Sequence, residues 1–268
     1  MPVLLKVLLA PLLILAVSLA GRRWGPRTAG ALVGLPLTSG PVVAFLAAEQ
    51  GPRFAAGTAE GILLGVAGLS AFVAAYGVAA LRHEWPIATA AGWAAYLVAA
   101  VVLGAVSLGL LERVLLVGGA VVLVGAMLPA APARRRCAPP PRWDLPLRMA
   151  AATAMVLLVT GLAESLGPER SGLLSASPVY VTVVVAFTHH IEGDGAALAA
   201  LRGLVVGMGG FALFFAVAAA TLETWGTAAS LATAACGTIA VQVLDRAARR
   251  KSAAPSCKVP AVGTEVER

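Results

Sequence analysis

The sequence predicts an all-α, polytopic membrane protein, and three observations support this prediction: the composition, a series of long apolar segments and an internal repeat. Of the 268 residues, 59% are hydrophobic and only 12% are charged, with a mean hydropathy of +0.89. So few charges could not cover a water-exposed surface without large apolar patches, whereas a bilayer solvates such a surface directly. The composition therefore excludes an ordinary soluble domain.

Nine apolar segments of roughly 18 to 25 residues are long enough to cross a hydrocarbon core of ~30 Å as helices. In chain order they are 3–21, 28–49, 55–81, 86–107, 112–129, 147–164, 172–190, 196–221 and 225–244. A basic, proline-rich stretch between the fifth and sixth segments is too polar for lipid. The polar tail from Asp245 onward is expected to be cytosolic and largely disordered. About nine transmembrane helices are therefore predicted.

The distribution of positive charge predicts how the chain crosses the membrane. With nine alternating spans, 16 Lys and Arg residues fall on one side and four on the other. Because positive residues accumulate in cytoplasmic loops, we expect a multi-pass protein of the cell (inner) membrane with the N-terminus outside and the C-terminus in the cytoplasm. The first segment could instead be a signal peptide, but its strongest positive charge, Arg22-Arg23, follows the apolar run rather than preceding it.

Several function classes have little support in the sequence. The net charge of +7 is carried by short connections without an aromatic and basic face, so nucleic acid is not an expected partner. Cys137, Cys236 and Cys257 are scattered and match no disulfide framework or metal-ligand spacing. No phosphate-binding loop, metal-binding helix or nucleophile elbow is present. We therefore expect no enzyme activity, no cofactor and no metal.

An internal repeat becomes visible when the chain is aligned with itself so that Gly25 matches Gly167; we call this shift the repeat offset. Residues 25–65 then align without a gap to 167–207, and 13 of the 41 positions are identical, including Pro36 with Pro178. Gapless self-similarity of this kind indicates a repeated structural unit. An odd number of spans separates equivalent helices, so the second unit should cross the membrane in the opposite direction.

The predicted architecture is thus two inverted four-helix repeats joined by a linking helix. Its parts are the first repeat (1–110), the linking span with the basic loop (111–143), the second repeat (144–244) and the tail (245–268). Inverted repeats of this kind can expose one shared midplane site first to one side and then to the other.

Each unit resembles the GlpM type of small four-span bacterial inner-membrane protein. The likeness lies in the order of features: an apolar first helix, a short polar connection, an Ala-Gly-containing second span with a proline, and a turn at Glu49-Gln50-Gly51 or Ile191-Glu192-Gly193 before the third span. The resemblance covers each four-span unit but not the fifth span or the tail. It implies architecture and duplication of a small ancestor, and it implies no substrate.

Prolines and hydroxyls interrupt the second and seventh spans at corresponding places. A proline removes one backbone hydrogen bond and frees a carbonyl, and in lipid such groups need a partner, water or a ligand. Interruptions at matching positions of two halves indicate a transporter site. The predicted substrate-binding residues are Pro36, Thr38, Ser39, Gly40, Ser175, Ser177, Pro178, Tyr180 and Thr182. The alternative is that the prolines only kink the helices and the hydroxyls bond to their own carbonyls.

Charged residues near the span ends have simpler interpretations. Glu60 and Arg202 occupy equivalent repeat positions, and we expect both to extend toward the membrane interface rather than to pair with each other. His189 and His190 could bind a metal or relay protons. Adjacent histidines on a helix point in different directions, however, so a solvated helix end is the favoured interpretation.

These features together predict a secondary transporter or exporter of a small polar or anionic solute. Its expected partners are the lipid bilayer and that solute, and its oligomeric state is left open. The alternative is a non-transporting integral membrane accessory or assembly protein, which would need only a dry helical bundle. A membrane-embedded enzyme, built around the histidines and Glu192 with Arg82 or Arg148, is a third possibility.

Overall fold

The computed structural model describes residues 3–36, 39–129, 141, 143–166 and 177–250. Within these ranges the chain forms ten helices and no strand. The helices are α1 Val3–Trp24, α2 Pro26–Val33, α3 Ser39–Gln50, α4 Pro52–Ala79, α5 Trp85–Gly104, α6 Leu110–Met127, α7 Asp144–Leu166, α8 Val179–Glu192, α9 Asp194–Trp225 and α10 Thr227–Arg250. The predicted proline-rich linker, apart from its last residues, lies outside the described residues. The prediction of a disordered tail from Asp245 is wrong for 245–250, which continue α10, and the rest of the tail lies outside the described residues.

Five helices of the described chain are long and apolar enough to cross a membrane. They are α4, α5, α6, α9 and, over Thr227–Leu244, α10. Many of their large apolar side chains are exposed, including Val101 and Val122, which are 74% and 73% exposed. A surface of this kind suits lipid rather than water. The protein is therefore a helical membrane protein.

The predicted second span, 28–49, is two helices rather than one. Helix α2 ends at Val33, α3 begins at Ser39 and the chain between them leaves the helical conformation. Pro36 lies in this break. A proline has no backbone N–H and clashes with the preceding turn, so a helix cannot run through it undisturbed.

Helices α4 and α9 lie at the centre of the bundle and carry the largest apolar cluster. They run antiparallel, because Gly77 near the end of α4 lies beside Leu198 and Leu201 near the start of α9. A second cluster joins α1, α2, α7 and α8 around Ile14, Val17 and Val183.

A glycine seam joins α2 to α9. A methyl group on Gly30 would overlap the carbonyl oxygen of Ala200, and one on Gly203 would overlap the carbonyl oxygen of Arg27. One turn further along, a methyl group on Gly34 would lie 2.6 Å from the Cα of Gly207. Small residues four apart on both helices let the two backbones touch, as in close membrane helix pairs.

Several helix boundaries recur at the repeat offset. Helices α3 and α8 end at Gln50 and Glu192, and α4 and α9 begin at Pro52 and Asp194. The glycines between them, Gly51 and Gly193, have φ of 89° and 92°, a backbone conformation that favours glycine. Helices α5 and α10 begin at Trp85 and Thr227, which are also separated by the repeat offset.

Part of the helix packing follows the same correspondence, although the contacts of α1 and α7 with α8 have no comparable counterparts at α3 in the described ranges. Contacts of α4 with α3 and α5 have counterparts in contacts of α9 with α8 and α10. The contact of α5 with α8 likewise has a counterpart in the contact of α10 with α3. Helix α6 falls outside this correspondence and packs against both α4 and α9.

Candidate functional site

The break between α2 and α3 is held against α9 by close backbone packing. The Gly34 N–H donates to the Gly30 carbonyl oxygen at 3.2 Å and closes α2, while the Pro36 carbonyl accepts from the Gly40 N–H at 3.0 Å at the start of α3. The Cα of Gly207 lies directly against Gly34. The end of α2 is therefore fixed in place by a helix of the other half.

The predicted site residues around this break have mixed surroundings. Gly40 is buried, and a Cβ there would lie 3.4 Å from the ring of Phe214 on α9. Pro36 and Ser39 are half-buried. Thr38 lies outside the described residues.

The matching residues of the second half lie at the start of α8. Pro178 is buried, and the N–H of Val179 donates to the Ser177 carbonyl oxygen at 2.8 Å. The Thr182 hydroxyl donates to the Pro178 carbonyl oxygen at 2.7 Å. It also accepts a hydrogen bond from the indole N–H of Trp93 at 3.0 Å, so Thr182 is used as both donor and acceptor. Ser175 lies outside the described residues.

The two groups of predicted residues have different neighbours. Helix α8 packs on α1, α2, α5, α7 and α9, whereas α3 packs on α4 and α10. Tyr180 is half-buried against the apolar cluster of α1, α2, α7 and α8. Gly40 itself lies against Phe214 of α9, whereas Thr182 faces Trp93 of α5.

The structure contains a buried tyrosine–histidine pair that was not predicted from the sequence. The Tyr76 hydroxyl lies 3.1 Å from Nδ1 of His189 and connects α4 to the last turn of α8. Tyr76 is fully buried and His189 is 8% exposed. The interpretation of 189–190 as a solvated helix end is therefore correct for the exposed His190 and wrong for His189. A histidine within the apolar helix α8 could have indicated a buried polar contact. Its partner, Tyr76, could not be identified because it lies 113 residues away in the sequence.

A buried ionic cluster lies where α1 ends and α7 begins. Asp144, 1% exposed, accepts from Arg22 at 2.9 Å and from Arg148 at 2.7 Å. The Arg148 guanidinium also lies 5.3 Å from the centre of the Phe187 ring on α8. A buried charge is costly unless it is paired and hydrogen-bonded, and two arginines satisfy Asp144 here. The cluster therefore fixes α1, α7 and α8 relative to one another.

Glu60 and Arg202 contact opposite ends of α6. Glu60 forms an ion pair with Arg113 at 3.1 Å, in the first turn of α6. The Arg202 guanidinium donates to the Leu128 carbonyl oxygen at 3.0 Å, directly after the last residue of α6. The prediction that they do not pair with each other agrees with these contacts. The expectation that both side chains extend toward the membrane interface stays a prediction, and each side chain also contacts one end of α6.

Within the described ranges, no group of three or more His, Cys, Asp or Glu side chains could hold a metal ion.

Comparison with known proteins finds no family model, curated protein or solved structure that matches the chain.

Proposed function

We propose that the protein is a secondary transporter of a small polar or anionic solute, working by alternating access between two inverted four-helix units. The observation that carries this proposal is the break between α2 and α3 in an apolar segment long enough to span the membrane. Broken helices near the midplane are tolerated where they line a cavity or are buried in protein, and they mark the binding sites of many secondary transporters.

The recurring helix boundaries support the inverted arrangement. Helices α4 and α9, whose first residues are separated by the repeat offset, pack antiparallel at the centre of the bundle. Antiparallel packing is what two copies related by an axis in the membrane plane require of equivalent helices. Rocking of one unit against the other would then expose the breaks alternately to each side.

The chemistry of the α2–α3 break and of the matching interruption predicted before α8 favours an anionic or zwitterionic solute. Helices α3 and α8 begin at Ser39 and Val179, and a helix N-terminus carries partial positive charge. Half-helix N-termini bind anionic substrate groups in transporters of this type. In this proposal the hydroxyls of Thr38, Ser39, Ser175 and Ser177 complete the site, with no dedicated cofactor.

Solute flux into reconstituted vesicles tests the proposal directly. Purified protein in vesicles should transport at least one member of a panel containing lactate, glutamate, glycine and phosphate. The variant Pro36→Ala plus Pro178→Ala should lower that flux because it removes both interruptions. Pro52→Ala is the matched control, since Pro52 occupies the first turn of α4, where a proline costs no helical hydrogen bond. Unchanged flux in the double variant would contradict the proposed site.

Accessibility of Ser39 tests alternating access without a known substrate. Ser39→Cys in a cysteine-free background should react with a membrane-impermeant maleimide added to either side. His83→Cys, in the exposed turn after α4, should react from one side only. Protection of position 39 from both sides would refute alternating access.

The second candidate function is a non-transporting accessory protein, and the bonding of Thr182 is the observation in its favour. Its hydroxyl is satisfied by the Pro178 carbonyl and the Trp93 indole, as in a dry, packed bundle. This alternative expects no flux of any solute in the panel and no reaction at position 39.

A further inference from the structure

The hairpin of α4 and α5 holds an open groove that neither break uses. It has a volume of about 730 Å³ and is lined by the second half of α4, the connecting turn and the first turns of α5. Its floor is made of alanines, including Ala74, Ala75 and Ala91, which leave space between the two helices. Val78 and Ile87 on its walls are 58% and 55% exposed. The groove is therefore an apolar channel that opens away from the bundle, toward lipid.

The Arg82 guanidinium, beside the His83 imidazole, closes one end of this groove. Arg82 and His83 line it at the turn between α4 and α5, and both are exposed. Neither side chain makes an ion pair with any residue in the described ranges. The neighbouring acid, Glu84, does not line the groove and forms no ion pair with either side chain. The guanidinium thus remains available to an anion at the end of an apolar channel.

The equivalent positions of the second half lack this charge. At the repeat offset, Arg82 and His83 correspond to Thr224 and Trp225, and Leu81 corresponds to Glu223. If the turn after α4 lies on the cytoplasmic side, as the charge distribution predicts, the basic groove faces the leaflet that is rich in anionic lipid. The counterpart turn would face the other leaflet.

We infer that this groove binds an anionic phospholipid, with an acyl chain along the alanine floor and the phosphate at Arg82 and His83. Basic pockets beside membrane helices recognise acidic headgroups, and the volume lies in the usual range of small-molecule sites, roughly 300–1,000 Å³. The inference does not depend on transport, since an accessory protein could carry the same lipid site.

Native mass spectrometry of the delipidated, full-length protein tests this inference. Titration with phosphatidylglycerol should give tighter binding than titration with phosphatidylcholine. Arg82→Gln plus His83→Gln should weaken phosphatidylglycerol binding at least about fivefold, since the single Arg82 charge near an anionic surface contributes on the order of 1 kcal/mol and the variant also removes the hydrogen-bonding imidazole of His83. Equal binding of the two lipids, or unchanged affinity in the double variant, would overturn the inference.

Two further variants separate the headgroup contact from the acyl channel. Arg53→Gln, an exposed arginine in the first turn of α4, removes the same charge at the opposite end of the helix and should leave affinity unchanged. Ala75→Leu should obstruct the channel and lower the binding of both lipids. An equal loss of phosphatidylglycerol affinity in Arg53→Gln would show non-specific attraction, and full affinity in Ala75→Leu would show that no chain occupies the groove. Either result would refute the site.

Discussion

The α4 and α9 helices use the same position in opposite ways. Glu60 on α4 pairs with Arg113 in the first turn of α6, while Arg202 on α9 contacts the carbonyl that follows the last turn. A helix carries partial positive charge at its N-terminus and partial negative charge at its C-terminus. An acid at the first end and a base at the second complement both ends of α6.

This difference shows where two similar halves must differ in sequence. Helix α6 packs against both α4 and α9, but it has one direction. The two equivalent residues therefore meet different groups, the Arg113 guanidinium at one end and the Leu128 carbonyl oxygen at the other, and one residue type cannot suit both. The remaining predictions test how far the correspondence between the halves extends.

The largest effect is expected in the glycine seam. Gly203→Ala places a methyl group on the Arg27 carbonyl oxygen, so α2 and α9 must separate. We expect a loss of about 1–3 kcal/mol or more, measured as a lower thermal unfolding midpoint in detergent.

Gly209→Ala is the matched control for the seam. It lies on the same helix, and a methyl group there meets no described atom within 4 Å. Its unfolding midpoint should be unchanged or slightly raised, because alanine favours a helix more than glycine does. Equal losses for the two variants would contradict the close α2–α9 packing.

A smaller effect is expected from Arg202→Met. The variant leaves the Leu128 carbonyl without its charged donor, and an unsatisfied buried acceptor costs about 1–3 kcal/mol. Chemical or thermal unfolding in detergent measures the loss. A stability equal to that of the wild type would show that Arg202 does not hold the end of α6.

The Tyr76–His189 pair is another difference between the two halves. At the repeat offset these residues correspond to Ala218 and Ala47, both buried and apolar, so the second half has no equivalent hydrogen bond. Tyr76→Phe should cost about 1 kcal/mol in thermal unfolding. His190→Gln, at the exposed neighbouring residue, should cost less. The reverse order would contradict a stabilising role for the buried pair.

Glu60→Gln should have the smallest effect of these variants. The side chains of Glu60 and Arg113 are 31% and 20% exposed, and partly exposed ion pairs contribute about 0–1 kcal/mol. Salt should reduce the difference between this variant and the wild type. A loss of stability larger than that of Arg202→Met would contradict the expectation that the Glu60–Arg113 contact contributes less than the Arg202–Leu128 contact.

The sequence predicted the helical membrane class because composition and hydropathy report directly on the solvent. It also placed an interruption near Pro36, since a proline disturbs a helix through local chemistry. The partners of Arg202, Asp144 and His189 could not be predicted. Their contacts join residues that are distant in sequence, on helices whose facing sides no local pattern identifies. For the same reason, the sequence could not show that the break between α2 and α3 lies against α9.

Sidedness of two matching turns is the most direct test of the inverted arrangement. His83 and Trp225 are exposed and correspond at the repeat offset, so each can be replaced by cysteine in a cysteine-free background. An impermeant maleimide added to right-side-out and inside-out vesicles measures which side each turn faces. We expect His83→Cys to react only from the cytoplasmic side and Trp225→Cys only from the other. Reaction of both cysteines from the same side would contradict opposite orientation and, with it, the proposed alternating access.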